Sequence, residues 1–291
     1  MSELCHLIVN PTSGNYSEAK IKSVRSVLLQ NGLSVDVLTT GNATDATRYA
    51  HEVSQRHQNP FILVAGGDGT INGVLNGVTQ GTATLALLPM GTANVLANEL
   101  NITSLDDAAA KIIRRKTESF SAGMVKHSGG TCYFSLMTGV GFDGAVVKGV
   151  RLEEKRRWGK LAYLFSALRA VWGWDKSRFT VTGDNGQSLL CHSVIASNCS
   201  RYGGNFILAP EADIFTPGFT VLCINSADKK AYVNAFINIV MGNLQINSDI
   251  SVFQSSMLSI SGHKNVQVDG DYCCSGPITI SSLDNFAKFV V

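Results

Sequence analysis

A short run of apolar residues at 61–65 leads straight into Gly66-Gly67-Asp68-Gly69-Thr70, and this junction constrains the fold more than any other feature of the sequence. A strand with no polar face must be covered on both sides, as in a parallel sheet clad with helices. The surrounding pattern agrees. Residues 4–9 read as a strand, followed by a turn-rich loop at 10–15, and Ser17 is placed to cap a helix with Ile21, Val24, Val27 and Leu28 at helical spacing. Gly32 stops that helix, 33–38 alternates as a second strand, and 44–57 predicts a second helix. A further helix runs from the glycine-rich segment to about Asn76, and 84–88 makes a fourth strand closed by Pro89. This βαβα rhythm predicts an α/β fold with a parallel sheet.

Beyond Ser119 the character changes. Residues 131–138, 178–182 and 189–197 read as strands, with Asp184-Asn185-Gly186 as the hairpin turn between the last two. Residues 219–225, 250–261, 265–268, 277–281 and 287–291 add more β content, and helical patterns recur only at 161–172 and about 229–241. A boundary near Lys126 therefore divides an α/β half, 1–126, from a β-rich half, 127–291.

Glycines without Cβ let a chain turn sharply and turn several N–H groups toward an anion, and a following helix N-terminus adds positive potential there. A bare carboxylate in such a cradle would repel phosphate, so Asp68 calls for a magnesium ion, held directly or through water. Thr70 adds a hydroxyl donor. A second loop, Pro89-Met90-Gly91-Thr92-Ala93-Asn94, ends the next strand and opens another helix. In an open parallel sheet, ligands bind beyond the carboxyl ends of the strands. Both Gly-Thr loops thus face one crevice, together with the loop from Asn10 to Gly14 and with Thr40 after the second strand.

These loops carry a resemblance. Asn10-Pro11-Thr12-Ser13-Gly14, the GGDGT segment and the 89–94 loop are similar to motifs of the diacylglycerol kinase catalytic family, which includes bacterial lipid kinases and the sphingosine and ceramide kinases. The likeness continues through GVGFDG at 139–144, GKLAY at 159–163 and VDGD at 268–271. It implies a phosphofructokinase- and NAD-kinase-like nucleotide domain followed by a β-sandwich lipid domain, with the active site between them. It implies ATP contacts from Asn10, Thr40, Gly66, Gly67, Asp68, Gly69, Thr70, Asn72, Gly91 and Thr92, with Asp68 organising Mg2+. It also implies a general base at Asp271, where the family commonly has Glu. An acid after the second Gly-Thr loop is replaced by Val95, another stands as Gly73, and a structural magnesium site of some members is replaced by Thr216-Pro217-Gly218, with Asp213 nearby.

The expected activity is ATP- and magnesium-dependent phosphorylation of a lipid hydroxyl, on a diacylglycerol-like or sphingoid acceptor. An NAD kinase-like enzyme and a non-catalytic nucleotide- or lipid-binding regulator are the rival readings. GVGFDG also fits a dinucleotide fingerprint, but no βαβ unit surrounds it. Lys155, Arg156, Arg157 and Lys160 precede an apolar helical stretch, read either as a headgroup-binding membrane surface or as a core helix with a solvated lead-in. With 24 basic against 22 acidic residues, nucleic acid is not an expected partner. The chain opens without a signal-peptide pattern and has no stretch of the roughly 18–20 apolar residues needed to span a bilayer. Its seven cysteines lack CxxC spacing, and Cys273-Cys274 is poorly placed for a disulfide. A cytoplasmic protein with reduced thiols is expected, peripheral at the membrane when it meets its lipid. The oligomeric state is left open.

Overall fold

The computed structural model describes residues 3–150, 161–204, 206–242 and 246–291. The chain forms two compact units: Met1–Ala122 with Gly203–Asn205 and Asp284–Val291, and Gly123–Tyr202 with Phe206–Leu283.

In the first unit the strands β1 (Glu3–Val9), β2 (Leu33–Thr39), β3 (Phe61–Gly66) and β4 (Thr84–Pro89) lie in the order β2-β1-β3-β4, all parallel. Helices α1 (Glu18–Gln30), α2 (Asp45–Arg56), α3 (Asp68–Leu75), α4 (Val95–Glu99) and α5 (Leu105–Arg114) complete it. Every residue of β3 is buried, as an unbroken apolar run requires. On α1 the residues Ile21, Val24 and Leu28 are buried while Val27 is exposed, so one narrow stripe meets the sheet. Helix α5 was not expected from periodicity, yet its start is encoded locally: the Ser104 side chain accepts the Asp107 N–H at 3.0 Å. At the far end of the chain, Lys288 and Phe289 pair in parallel with Thr84 and Leu85, adding a strand to the sheet.

Register decides where the loops go. Val9 pairs with Thr39 and with Ala65, and Ala65 pairs with Leu88. Four strands therefore end at one level, and the segments that follow them emerge along one edge.

The second unit is a β-sandwich. Following β5 (Thr117–His127) and β6 (Gly130–Phe134) come β7 (Met137–Val140), α6 (Phe142–Lys148), α7 (Leu161–Trp172), β8 (Phe179–Gly183), β9 (Ser188–Cys191) and β10 (Ser193–Ser197). The short pair β11 (Arg201–Tyr202) and β12 (Phe206–Ile207), β13 (Phe219–Ile224) and α8 (Lys229–Val240) follow. Strands β14 (Ile250–Ser255), β15 (Met257–Ile260), β16 (Asn265–Val268), β17 (Asp271–Ser275) and β18 (Ile278–Val290) end the chain. One sheet runs β14-β13-β10-β7-β16-β17, and the facing layer contains β9, β8, β15 and the first part of β18. Phe134, Val140, Phe179, Val181, Val221, Leu258 and Val266 fill the space between.

Three of the expected strands are each two strands. The 131–138 run breaks into β6 and β7, 189–197 into β9 and β10, and 250–261 into β14 and β15. Each break is where the chain leaves one sheet for the other. An apolar run stays buried through such a corner, so the hydrophobic pattern cannot reveal it. The Asp184-Asn185-Gly186 turn does join β8 to β9, with Gly183 accepting the Gly186 N–H at 3.0 Å. Of the basic stretch before α7, Lys155, Arg156, Arg157 and Lys160 lie outside the described residues, as do Gly159 and the acids Glu153 and Glu154.

Asp184 also serves the sandwich corner. Its carboxylate accepts the Ser256 hydroxyl at 2.6 Å, the Ser256 N–H at 2.8 Å and the Ser255 hydroxyl at 3.0 Å. These bonds, the Ser256 hydroxyl foremost, hold its pKa down at about 2. A depressed carboxylate contributes stability above its unfolded value near 4, and that contribution is lost as pH falls toward the folded value. Asp184→Asn is accordingly expected to flatten the loss of stability between about pH 4 and pH 2, measured by urea midpoints across that range. An unchanged acid limb would contradict it.

Candidate functional site

The strand-edge loops of the first unit lock together through backbone and short polar side chains. Asn10 sits just past β1, where its N–H donates to Ala65 O at 2.9 Å and its Nδ2 donates to Thr70 Oγ1 at 3.0 Å. Its Oδ1 accepts the Thr12 N–H and hydroxyl at 2.9 and 2.8 Å, which curls the loop back on itself. Asn15 donates to Met90 O through its N–H and to Gly91 O through Nδ2. Thr40 is buried, its N–H bonded to Val9 O at 2.8 Å, and the buried Asp45 carboxylate accepts the Gly41 and Asn42 N–H groups just beyond it.

The two glycine loops touch backbone to backbone. A Cβ built on Gly91 would lie 2.5 Å from Gly67 Cα, and one on Gly67 would lie 3.0 Å from Gly91 Cα. No side chain fits at that crossing, and this is the structural reason for glycine at both positions. Asn94 closes the second loop in the left-handed region, φ 48°, accepting the Gly91 N–H at 2.8 Å. Thr70 is buried, its hydroxyl taken by Asn10, whereas Gly69 and Thr92 are exposed. Asn72 lies one turn into α3, and its Oδ1 accepts Asn76 Nδ2 at 3.1 Å.

Asp68 opens α3, yet its carboxylate is spent on a different helix: Oδ2 accepts the Val95 N–H and Oδ1 the Leu96 N–H, each at 3.1 Å. Those are first-turn amides of α4, so one carboxylate satisfies two orphan donors and fixes α4 against the GGDGT loop. An ionised carboxylate is also the kind of oxygen ligand that a hard cation takes. Among the described residues no group of three His, Cys, Asp or Glu ligands forms around Asp68. The donor set thus fits a magnesium ion that arrives with a triphosphate and keeps waters, rather than an all-protein cage.

In the second unit Val268 pairs with Asp271 across β16 and β17, so Asp269 and Gly270 form a two-residue loop, with φ of 48° and 84°. Positive φ at both positions is the turn type for which Asp-Gly is suited. Asp269 is anchored by the Ser135, Leu136 and Met137 N–H groups and the Ser135 hydroxyl, at 2.8 to 3.0 Å. Asp271 itself is exposed at the head of β17.

Sequence reasoning missed the network behind this turn. Gln267 accepts the Gly270 N–H at 2.8 Å through Oε1 and donates to Asp143 Oδ2 at 2.7 Å through Nε2. Asp143 Oδ1 accepts the Tyr202 hydroxyl at 2.6 Å. Burial pushes the Asp143 pKa up, against the lowering effect of those two bonds. GVGFDG is thereby explained without a dinucleotide: a Cβ on Gly139 would lie 1.9 Å from Asp143 Oδ2. An open cavity of about 210 Å3 lies beside α6, bordered by Phe142, Ser166, Trp174, His192 and Lys264. Asp213 is committed to its own loop, accepting the Phe215 N–H and the Thr216 hydroxyl at 3.0 and 3.1 Å.

Two family models account for nearly all of this chain: the diacylglycerol kinase catalytic domain matches residues 5–125, and the YegS C-terminal NAD kinase beta sandwich-like domain matches 137–287. The chain belongs to the diacylglycerol kinase catalytic family. Within this family it is 26% identical to a diacylglycerol kinase of Bacillus subtilis, over 91% of this chain and 89% of that one. It is 23% identical to a diacylglycerol kinase of Mycobacterium tuberculosis, over 95% and 91% of the two chains. A solved diacylglycerol kinase structure from Bacillus anthracis shares the fold, with a TM-score of 0.75 at 20% identity, covering 99% of this chain and 96% of that one. The family thus supports a lipid-kinase type of activity, and its two-part architecture is the one described above.

Proposed function

We propose that the chain transfers the γ-phosphoryl group of ATP to a hydroxyl of a lipid, either diacylglycerol-like or sphingoid. The observation that carries this reading is the alignment of four strand ends in the first unit. There two glycine loops cross without side chains and a helix N-terminus is held by Asp68. Such an edge presents backbone N–H groups to phosphate oxygens at little reorganisation cost. Asn10, Thr40, Gly66, Gly67, Gly69, Thr70, Asn72, Gly91 and Thr92 are the proposed nucleotide-binding set. Asp68 serves as helix anchor and as the carboxylate nearest a magnesium ion brought in with ATP. Bound magnesium would supply positive charge at the β- and γ-phosphates.

Asp271 is the proposed general base. As the acceptor oxygen bonds to γ-phosphorus and the bond to the ADP oxygen breaks, the hydroxyl proton passes to the Asp271 carboxylate. The rigid Asp269-Gly270 turn, backed by Gln267 and Asp143, fixes the start of its strand.

A lipid acceptor must be met at a surface. Val233, Phe236, Ile237 and Met241 are exposed at i, i+3, i+4 and i+8 along α8 and its C-cap, while Ala231 and Ala235 face inward. A helix this apolar on its outer face, led by Lys229 and Lys230, supports contact with an anionic lipid surface. No described helix is long and apolar enough to cross a membrane.

The test is labelled ATP with a lipid extract, magnesium, and NAD as a separate acceptor. Label is expected in the organic phase and not on NAD. In Asp68→Asn the new amide would set an N–H donor against an α4 N–H, and lipid labelling is expected to fall about 100-fold. Labelling of NAD alone, or undiminished lipid labelling by Asp68→Asn, would defeat the reading.

A further inference from the structure

We infer that His127, Cys132, Cys273 and Cys274 form a structural site for a thiophilic divalent cation, Zn2+ by its chemistry. The ligand atoms of His127, Cys273 and Cys274 all lie within 4.8 Å of one another, and Cys132 Sγ is 2.8 Å from Cys273 Sγ. In a tetrahedral zinc site with Zn–S near 2.3 Å, ligand atoms stand roughly 3.5–3.8 Å apart; His127, Cys273 and Cys274 are the convergent three, and Cys132 joins them through its contact with Cys273.

Local backbone structure explains how neighbouring cysteines come to share a site. In a regular strand Cys273 and Cys274 would point to opposite faces. Here the pairing of β16 with β17 shifts register, with Val266 opposite Cys274 and Gln267 opposite Tyr272, which leaves Cys273 as an extra residue. Such a bulge re-aims a side chain; Cys274 belongs to the sandwich core, and Cys273 and Cys132, each half-buried, pack against it. His127 and Cys132 come from β5 and β6, which are joined by a tight turn in which His127 pairs with Gly130.

A disulfide between Cys132 and Cys273 would use two of these groups and leave the convergence of Cys274 and His127 without a reason. Three thiolates and one neutral imidazole make a full tetrahedral set, which is the closed arrangement of structural zinc sites. Binding releases the three thiol protons to solvent and leaves a centre of net charge −1. The site would tie the β5–β6 turn to β17, the strand that Asp271 opens two residues before Cys273.

The test uses the full chain purified under reducing conditions, stripped with a chelator and titrated with Zn2+ or Co2+. About one equivalent of either metal is expected to bind, with a tetrahedral thiolate–cobalt absorption spectrum and a raised melting temperature. Cys273→Ser and His127→Asn, each checked for folding by circular dichroism, are expected to weaken binding at least about tenfold and to alter the cobalt spectrum. Cys5→Ala is expected to leave both unchanged. Failure of the reduced chain to bind Zn2+ would overturn the site. So would a cobalt spectrum that is the same in folded Cys273→Ser, or a Cys132–Cys273 disulfide whose reduction yields no metal affinity.

Discussion

Alanine at position 91 is expected to remove most ATP binding while leaving the chain folded. The added Cβ would stand 2.5 Å from Gly67 Cα and 2.7 Å from Asn94 Oδ1. Asn94 has its own commitments to the Gly91 N–H and carbonyl, and Gly67 is backbone, so neither neighbour can rotate away. The loops must separate instead. Overpacking of this kind costs about 1–3 kcal/mol, a few degrees of melting temperature. A displacement of about 1 Å in a positioning group can cost on the order of 100-fold, so ATP affinity should fall by about that factor. Titration calorimetry against Gly91→Ala measures it, and an affinity within twofold of the wild type would show that the crossing is packing without function.

The second large effect concerns turnover. Asp271→Asn keeps the size and the exposed position of the side chain but cannot accept a proton at neutral pH. General-base catalysis is worth roughly 10²–10⁴-fold, and a loss of that size in kcat is expected, with the KM for ATP little changed. Asp271→Glu lengthens the side chain by one methylene and restores the residue common in the family, so it should retain activity far above the Asn variant. A compensating control comes from the turn behind it. Gln267→Leu removes the acceptor for the Gly270 N–H and the donor to Asp143, and it should lower kcat by loosening the base rather than by removing it. Asp271→Asn that turns over lipid at the wild-type rate would exclude the proposed base.

Much of the first unit is written in local pattern. An apolar run with no polar face names a covered strand, glycines around an acid name a tight turn, and Ser17 and Gly32 bracket α1, although Ser17 stands at the N-cap without a side-chain bond to the helix. The second unit is less legible because its chemistry is assembled from distant segments. Asp143, Tyr202 and Gln267 meet across 124 positions of sequence, and none of the three stands out in its own neighbourhood. The cysteines show the same limit: Cys132 and Cys273 are 141 residues apart, so no spacing rule joins them. On α8 the apolar spacing was readable, but which of its faces stays exposed depends on the sheet beneath it. Asp68 is the instructive middle case. Its place in the loop was evident, whereas its hold on α4 required a partner 27 positions away.

The most direct measurement is a crystal structure of the chain with magnesium and a non-hydrolysable ATP analogue. Phosphate oxygens are expected against the N–H groups of the 67–70 and 91–92 segments, with Thr40 and Asn10 flanking the nucleotide and Asp68 still bonded to the Val95 and Leu96 N–H groups. A nucleotide bound away from that strand edge, or phosphates that leave both glycine loops untouched, would contradict it.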